Sequence, residues 1–249
     1  MIKTLLLFAV ALFTLQSCNV NSEITYHKDA ASSLAMNIDV REFMAEMKAM
    51  TPDSLNKKEF GDLDKLPTTW TSIYELEKKE GKLSTTNPDS IKVMKKIFMK
   101  SNKENNEYAG FSLKMDHFTK ADYASLNSSS KDEKLPVDQN VFSDWDGKTL
   151  IIDTDNFNLK NLEKAMASKD ADGNPEEESG KTEGMMTMFF KKVGTTLKFE
   201  NKIKSITGKH DWFKQIDDHS VRIEYDVKAM YDKEAKLKNA DKKIIIVTQ

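Results

Sequence analysis

The sequence predicts an α+β fold, in which a largely antiparallel sheet is built from hairpins and carries helices packed on one face. Apolar and polar residues alternate along residues 34–40 and 221–227, which is the period of a half-buried strand. Shorter stretches with helical spacing lie between such segments, and one opens with the capping pair Asn87-Pro88. Helices that follow hairpins in this order pack on an antiparallel sheet.

The first seventeen residues have the layout of a removable export signal. Lys3 supplies a positive charge, residues 5–15 form an apolar run broken only by Thr14, and the small Ser17 follows. The run is shorter than the roughly 20 apolar residues that cross a bilayer. We therefore expect a cleaved signal peptide rather than a membrane helix.

The residues that end at Cys18, Leu15-Gln16-Ser17-Cys18, resemble the lipobox of bacterial lipoproteins. The resemblance implies a diacylglyceryl thioether on Cys18, cleavage before it and acylation of the new amine. Two or more acyl chains anchor stably, since each buried CH₂ contributes about 0.8 kcal/mol. Cys18 is the only cysteine in the chain, so the mature domain forms no internal disulfide.

The predicted organisation has three parts. Residues 1–17 are the signal peptide, residues 18–22 are the lipidated cysteine with a short linker, and residues 23–249 are a single α+β domain. The four linker residues after the cysteine reach at most ~14 Å when extended. We therefore expect the domain to be held against the membrane leaflet.

Composition limits the function classes. The formal net charge of −2 gives no electrostatic case for binding nucleic acid. Charged residues make up 31% of the chain and hydrophobic residues 39%, which is typical of a globular domain with a hydrophilic surface.

In the first half of the domain, the sequence predicts one hairpin followed by helices and a further strand. Pro52 ends the first helix, Gly81 ends the second, and Thr119 with Asp122 resembles a capping box for the last. The predicted elements are a hairpin over 23–27 and 34–40, helices over 40–50, 70–81 and 87–98, a strand over 111–115 and a helix after Thr119.

In the second half, Asp146-Gly147 is a strong turn signal inside a second hairpin. Residues 195–207 are interpreted as one long strand with a bulge, because Ile206 breaks the phase of its apolar residues. The predicted elements are the hairpin over 141–145 and 149–153, a helix after Asn158, strands over 195–207 and 221–227, a short helix over 228–233 and a buried strand over 244–247.

No catalytic or metal-binding motif is present, so we expect no enzyme activity, cofactor or metal. The four histidines are scattered and form no zinc-binding pair; they are His27, His117, His210 and His219. The acidic loop 170–181 is unlike an EF-hand, because Pro175 and Lys181 replace the required glycine and glutamate. We interpret it as a solvated charge run.

Methionine-rich segments offer two interpretations. Met44, Met47 and Met50 follow helical spacing, and thioethers bind Cu(I), but a core-facing helix has the same spacing and is favoured. A dense apolar segment beside two lysines is either a buried helix or an adaptable surface for a lipid or protein partner. Its candidate residues are Met185, Met186, Met188, Phe189 and Phe190.

A basic stripe of four lysines on the helix after Asn87 is a weaker candidate for contact with anionic head groups. Its members are Lys92, Lys96, Lys100 and Lys103. The solvated side of an amphipathic helix has the same pattern and is favoured.

Residues 22–29, 36–39, 197–208 and 221–225, taken with the lipobox, resemble outer-membrane lipoproteins of unknown function of the Bacteroidota type. The resemblance implies a protein anchored to the outer membrane, and it implies no functional residues. No acidic run follows Cys18, which favours a periplasm-facing protein over one displayed on the cell surface. We expect a non-enzymatic binding or assembly factor for an envelope protein complex or a lipid. The alternative is an envelope hydrolase whose site is assembled from distant loops.

Overall fold

The computed structural model describes residues 18–41, 66–81, 83, 85–129, 144–156, 190–226 and 237–249. Within these ranges the chain forms three α-helices, a short 3₁₀ turn and eleven strands. The helices are α1 (Ile73–Lys79), α2 (Pro88–Met94) and α3 (Lys120–Ser129). The strands are β1 (Cys18–Tyr26), β2 (Ser32–Asp39), β3 (Thr71–Ser72), β4 (Ile97–Glu104), β5 (Glu107–Phe118), β6 (Thr149–Asp153), β7 (Phe190–Phe199), β8 (Ile203–Thr207), β9 (Phe213–Gln215), β10 (Ser220–Tyr225) and β11 (Lys243–Thr248).

The strands form two sheets. The larger has the order β3-β4-β5-β2-β1-β7-β10-β9, and the smaller has the order β6-β11-β8. Every pairing is antiparallel except that of β1 with β7, which is parallel. The prediction of a largely antiparallel sheet is thus confirmed in part: the sheet is mixed, and the few described helices do not clearly lie on one face.

One hydrophobic core contains buried residues from both sheets. Tyr26 is fully buried at the end of β1, where its ring stacks on Phe199 at 5.2 Å and lies 5.3 Å from the ring of Trp145. The smaller sheet adds four fully buried aliphatic side chains to this core: Leu150, Ile152, Ile244 and Ile246. The final strand alternates buried and half-buried residues instead of being buried throughout.

Strand β1 begins at Cys18, so residues 19–22 are part of the sheet and not a linker. They pair with β2 on one side and with β7 on the other. The reason is visible in the pattern, because Val20 already faces the core in phase with Ile24 and Tyr26. The first two strands otherwise form the predicted hairpin.

Helix α2 is shorter than predicted. Asn87 caps it through its side-chain oxygen, as expected, but the helix ends at Met94, and Ile97 and Phe98 belong to β4. Pairing of Ile97 with Met115 on β5 overrides the local helical spacing. The four lysines of the basic stripe are therefore divided between α2, the following turn and β4.

The predicted strand over 195–207 is two strands in different sheets. Strand β7 ends at Phe199, and β8 begins at Ile203 beside β11. The phase break at Ile206 therefore marks a change of sheet and not a bulge in one strand. Strand β10 pairs with β7, as predicted.

Local capping and turn predictions are confirmed. The Thr119 N–H donates to Asp122 Oδ2 at 2.9 Å, and the Asp122 N–H donates back to Thr119 Oγ1 at 3.3 Å, so the two form a capping box at α3. Asp146 Oδ1 accepts bonds from the N–H groups of Lys148 and Thr149 in the predicted turn.

Several predicted features lie outside the described residues. They are the signal peptide, the helix with Met44, Met47 and Met50, the helix after Asn158, the acidic loop 170–181, the helix over 228–233 and the candidate residues Met185, Met186, Met188 and Phe189. In the part of the chain that is described, no helix has both the length and the apolar character needed to cross a membrane.

Candidate functional site

The two ends of β1 carry the residues of interest. Cys18 is the first residue of β1 and pairs with Phe190, the first residue of β7. Tyr26 ends β1 beside Phe199. A nine-residue strand spans about 26 Å at 3.3 Å per residue, so the predicted lipidation site and the opposite end of the sheet are well separated.

The structure brings together two residues of the predicted sites, Cys18 and Phe190. Their backbones are paired although the residues are far apart in the sequence. Phe190, the last of the candidate apolar residues, therefore lies in the sheet next to the predicted anchor. The sequence did not indicate this proximity, since nothing in an alternating pattern specifies which distant strand is the neighbour.

The opposite end of the sheet holds a group of polar side chains that we call the histidine cluster. It consists of His27, Asp29, Ser33, His117 and Glu200. His27 Nδ1 lies 2.8 Å from Glu200 Oε1, and His27 Nε2 lies 2.8 Å from Ser33 Oγ. A carboxylate, an imidazole and a hydroxyl thus form a continuous hydrogen-bonded chain.

Backbone contacts hold Glu200 in this chain. Its Oε2 accepts the Lys28 N–H at 2.9 Å, and its own N–H donates to the Tyr26 carbonyl at 3.1 Å. The bond to His27, assisted by the Lys28 N–H, keeps the pKa of the Glu200 carboxyl below its usual value. Glu200 is therefore ionised at neutral pH, and the exposure of 41% of its side chain to water also favours the charged form.

A β-bulge positions Ser33. Ser32 pairs with Phe118 and Leu34 with Met115, so two residues of β5, Asp116 and His117, lie opposite Ser33. His117 adopts a left-handed backbone with φ of 48°, which is uncommon for a residue other than glycine. This conformation directs the His117 N–H to Ser33 Oγ at 3.0 Å.

The bond from His117 has a consequence for proton positions. Ser33 Oγ accepts the His117 N–H, which leaves the serine hydroxyl hydrogen free to donate to His27 Nε2. His27 Nδ1 then carries the ring proton and donates it to Glu200. The assignment follows from the hydrogen-bond network.

A second histidine–carboxylate pair lies beside the first. His117 Nε2 is 2.8 Å from Asp29 Oδ2, and the rings of His27 and His117 are 4.8 Å apart. Asp29 also accepts the Ala31 N–H, and this bond, followed by the one to His117, keeps the pKa of the Asp29 carboxyl below its usual value. The pair is exposed and forms the rim of the cluster.

Trp145 connects the cluster to the smaller sheet. Its indole N–H donates to the His27 carbonyl at 2.7 Å, while its ring is buried against Tyr26 and Phe199. Both the backbone and the ring of His27 are hydrogen-bonded, and only 18% of its side chain is exposed. The imidazole is therefore fixed relative to Ser33.

The two remaining histidines lie elsewhere and have structural roles. His210 is buried, and burial lowers its pKa against the opposing effect of Asp211 and Asp241. His219 Nδ1 contacts the Phe199 carbonyl at 3.0 Å. Among the described residues, no group of three or more histidine, cysteine or acidic side chains is arranged to hold a metal ion.

Comparisons with known proteins give little. No family model matches the chain, and no curated protein matches it. A solved structure, the folded domain of the LppM protein of Mycobacterium tuberculosis determined by NMR, is similar at a TM-score of 0.37 and 10% identity, over 94% of this chain and 90% of that one. A similarity of this size supports no inference about function.

Proposed function

We propose that this chain is an outer-membrane lipoprotein, facing the periplasm, that acts as a non-enzymatic binding or assembly factor for an envelope protein complex or a lipid. The observation that supports the proposal is the position of Cys18. It completes a lipobox-like sequence, and it is also the first residue of an interior strand of the larger sheet. Acyl chains on Cys18 would place this end of the sheet at the leaflet.

Because β1 begins at Cys18, no flexible linker separates the predicted lipid anchor from the sheet. Asn19 pairs with Asp39, so the end of β2 lies at the same level. There Arg41 forms ion pairs with Asp39 and Glu104. A charged rim of this kind suits the head-group region, because charges are costly in the hydrocarbon core.

The apolar segment supports a partner at the membrane. Phe190 pairs with Cys18, and Met185, Met186, Met188 and Phe189 precede Phe190 directly in the sequence. Methionine side chains adapt to irregular surfaces. A lipid or the apolar surface of a membrane-bound protein is the partner that fits this position.

The anchor is tested by replacing Cys18 with serine. We expect the wild-type protein to incorporate an alkynyl fatty acid in cells and to sediment with membranes, and Cys18→Ser to lose both properties, since serine cannot form the thioether. An Asn19→Ala variant, which keeps the cysteine, is the matched control and should behave as wild type. Labelling of Cys18→Ser would contradict the anchor.

The binding role is tested on the same preparations. The wild-type protein, purified from membranes in mild detergent, is expected to carry a specific protein or lipid that mass spectrometry identifies. A lipidated wild-type protein that reproducibly carries no companion other than its own acyl chains would contradict a binding or assembly role while leaving the anchor intact.

An envelope hydrolase is the second candidate, and one observation favours it. Glu200, His27 and Ser33 come from the β7–β8 connection and the β1–β2 hairpin, yet they form a hydrogen-bonded chain with two distances of 2.8 Å. A carboxylate, an imidazole and a hydroxyl in this order can activate the hydroxyl as a nucleophile.

A further inference from the structure

We propose that Ser33 is the nucleophile of an acyl-transfer site in the histidine cluster, with His27 as general base and Glu200 as positioning residue, and that the substrate is a carboxylic ester in the aqueous phase. The inference rests on the second candidate function and names its nucleophile and substrate class.

The order of the groups supports these roles. Glu200 contacts Nδ1 of His27 and Ser33 contacts Nε2, so the carboxylate and the hydroxyl lie on opposite sides of one imidazole. A base that accepts the hydroxyl proton at Nε2 becomes positively charged, and the ionised Glu200 at Nδ1 stabilises that charge. Both distances are 2.8 Å, within the range needed for proton transfer.

The bulge opposite Ser33 supplies an independent argument. It places the His117 N–H on Ser33 Oγ, which holds the oxygen in position beside His27. The left-handed backbone of His117 is the conformation that achieves this. The Glu200 carboxylate can only accept a hydrogen bond, so in the neutral ring Nδ1 carries the proton and Nε2 accepts the Ser33 hydroxyl hydrogen. Bulges and unusual backbone angles occur more often near functional sites than elsewhere.

The reaction can be written with all atoms accounted for. Ser33 Oγ forms a bond to the ester carbonyl carbon while its proton moves to His27 Nε2. The bond from that carbon to the alkoxy oxygen then breaks, and His27 returns the proton to the leaving alcohol. Water, activated by the same base, cleaves the acyl-serine, releases the acid and restores the hydroxyl.

The position of the cluster selects the substrate phase. The cluster lies at the end of β1 opposite Cys18, about 26 Å along the strand. The rim residues His117 and Asp29 have half or more of their side chains exposed. An ester dissolved in water or carried on an envelope polymer reaches such a site, whereas an ester buried at the anchored end of the domain does not.

The experiment uses the full-length lipidated protein in detergent micelles and two reagents, a fluorophosphonate probe and p-nitrophenyl acetate. We expect the probe to label the wild type at Ser33, as mapped by peptide mass spectrometry, and Ser33→Ala to lose labelling. Removal of a general base typically costs 10²- to 10⁴-fold, so His27→Gln is expected to reduce the rates of labelling and ester hydrolysis by at least about 100-fold.

Matched variants separate catalysis from folding. His219→Gln, a matched histidine substitution outside the histidine cluster, should retain labelling. Glu200→Gln should lower the rate, and Glu200→Asp should restore part of it, which loss of folding alone would not produce. Circular dichroism and thermal melting of each variant show whether the fold is intact.

The outcomes distinguish the assignment of Ser33 as nucleophile from the hydrolase function on which it rests. Labelling of another residue, with ester hydrolysis that survives Ser33→Ala, would overturn Ser33 as nucleophile and leave a hydrolase in place. Absence of both labelling and hydrolysis in the folded wild-type protein would overturn the site and the hydrolase function together.

Discussion

Replacing Gly110 with alanine is expected to destabilise the domain strongly. Gly110 lies on β5 opposite Asp39 of β2 and has φ of +142°, a backbone conformation that residues with a side chain rarely adopt. A Cβ at this position would lie well under 3.0 Å from the Ile38 carbonyl oxygen and 3.2 Å from the Asp39 Cα. These are backbone atoms of an interior strand, so they cannot move without breaking the ladder.

The expected loss is more than about 4 kcal/mol of unfolding free energy, which is exceptional for a single substitution. Urea unfolding followed by circular dichroism measures it, and outright failure to fold would be the extreme of the same result. Gly81 provides the matched control, because its φ is +69° but nothing lies within 4 Å of an added Cβ. Gly81→Ala should cost only about 1–2 kcal/mol, and equal losses for the two variants would contradict the argument.

Replacing Asp122 with alanine is expected to cost about 3 kcal/mol. Asp122 Oδ2 accepts the ammonium of Lys96 at 2.7 Å and both the N–H and the hydroxyl of Thr119, and only 5% of the side chain is exposed. Loss of a charged hydrogen bond contributes about 1.5–3 kcal/mol and loss of a helix cap about 0.5–2 kcal/mol. Asp116→Ala removes an exposed pair with Lys114 at 3.6 Å and should cost less than about 1 kcal/mol.

The contribution of Asp122 also depends on pH. Burial favours the neutral form, but the bonds from Lys96 and Thr119 outweigh it and hold the pKa of the carboxyl below its usual 3.8. A depressed folded-state pKa gives stability that is complete above pH 3.8 and is lost as pH falls through the folded value. The stability difference between wild type and Asp122→Asn should therefore shrink below pH 4. A difference that is constant from pH 7 to pH 2 would contradict the charge argument.

The sequence predicts correctly those structural features that depend on residues close together in the chain. The first hairpin, the Asn87 cap and the Thr119–Asp122 capping box are present in the structure. Each depends on a short pattern whose physical cause is local: alternation across a strand, a side chain that satisfies a helix end, or a turn residue.

The sequence does not predict those features that depend on pairing between strands far apart in the chain. Ile97 continues a helical pattern, yet it pairs with Met115 in a strand. The parallel pairing of β1 with β7 joins Cys18 to Phe190, and no local signal indicates that contact. Cys18 could be predicted as a candidate lipidation site, whereas its place in an interior strand could not.

The histidine cluster was missed for the same reason. His27, Ser33 and Glu200 match no motif, because Glu200 is 173 residues from His27 along the chain. The signals that were present, a serine shortly after a histidine and an acidic residue at the end of a strand, are too common to identify a site. The cluster exists because β7 runs beside β1 and ends at the same level.

In the orientation that we propose, the Cys18 end of the larger sheet lies at the leaflet and the histidine cluster lies away from it. Because Cys18 is the only native cysteine and would carry the lipid, one introduced cysteine can carry a fluorophore in the lipidated protein. Through the pairings of β4, β5, β2 and β1, Asn102 lies at the same level of the sheet as Asn19, so Lys103 lies at the Cys18 end. Lys28 follows the opposite end of β1, next to the histidine cluster.

The measurement places the fluorophore at Lys103→Cys or Lys28→Cys in vesicles that contain nitroxide-labelled lipid. We expect strong quenching at position 103 and little at position 28, since the two ends of β1 are about 26 Å apart. Equal quenching at both positions, or stronger quenching at position 28, would contradict the proposed orientation.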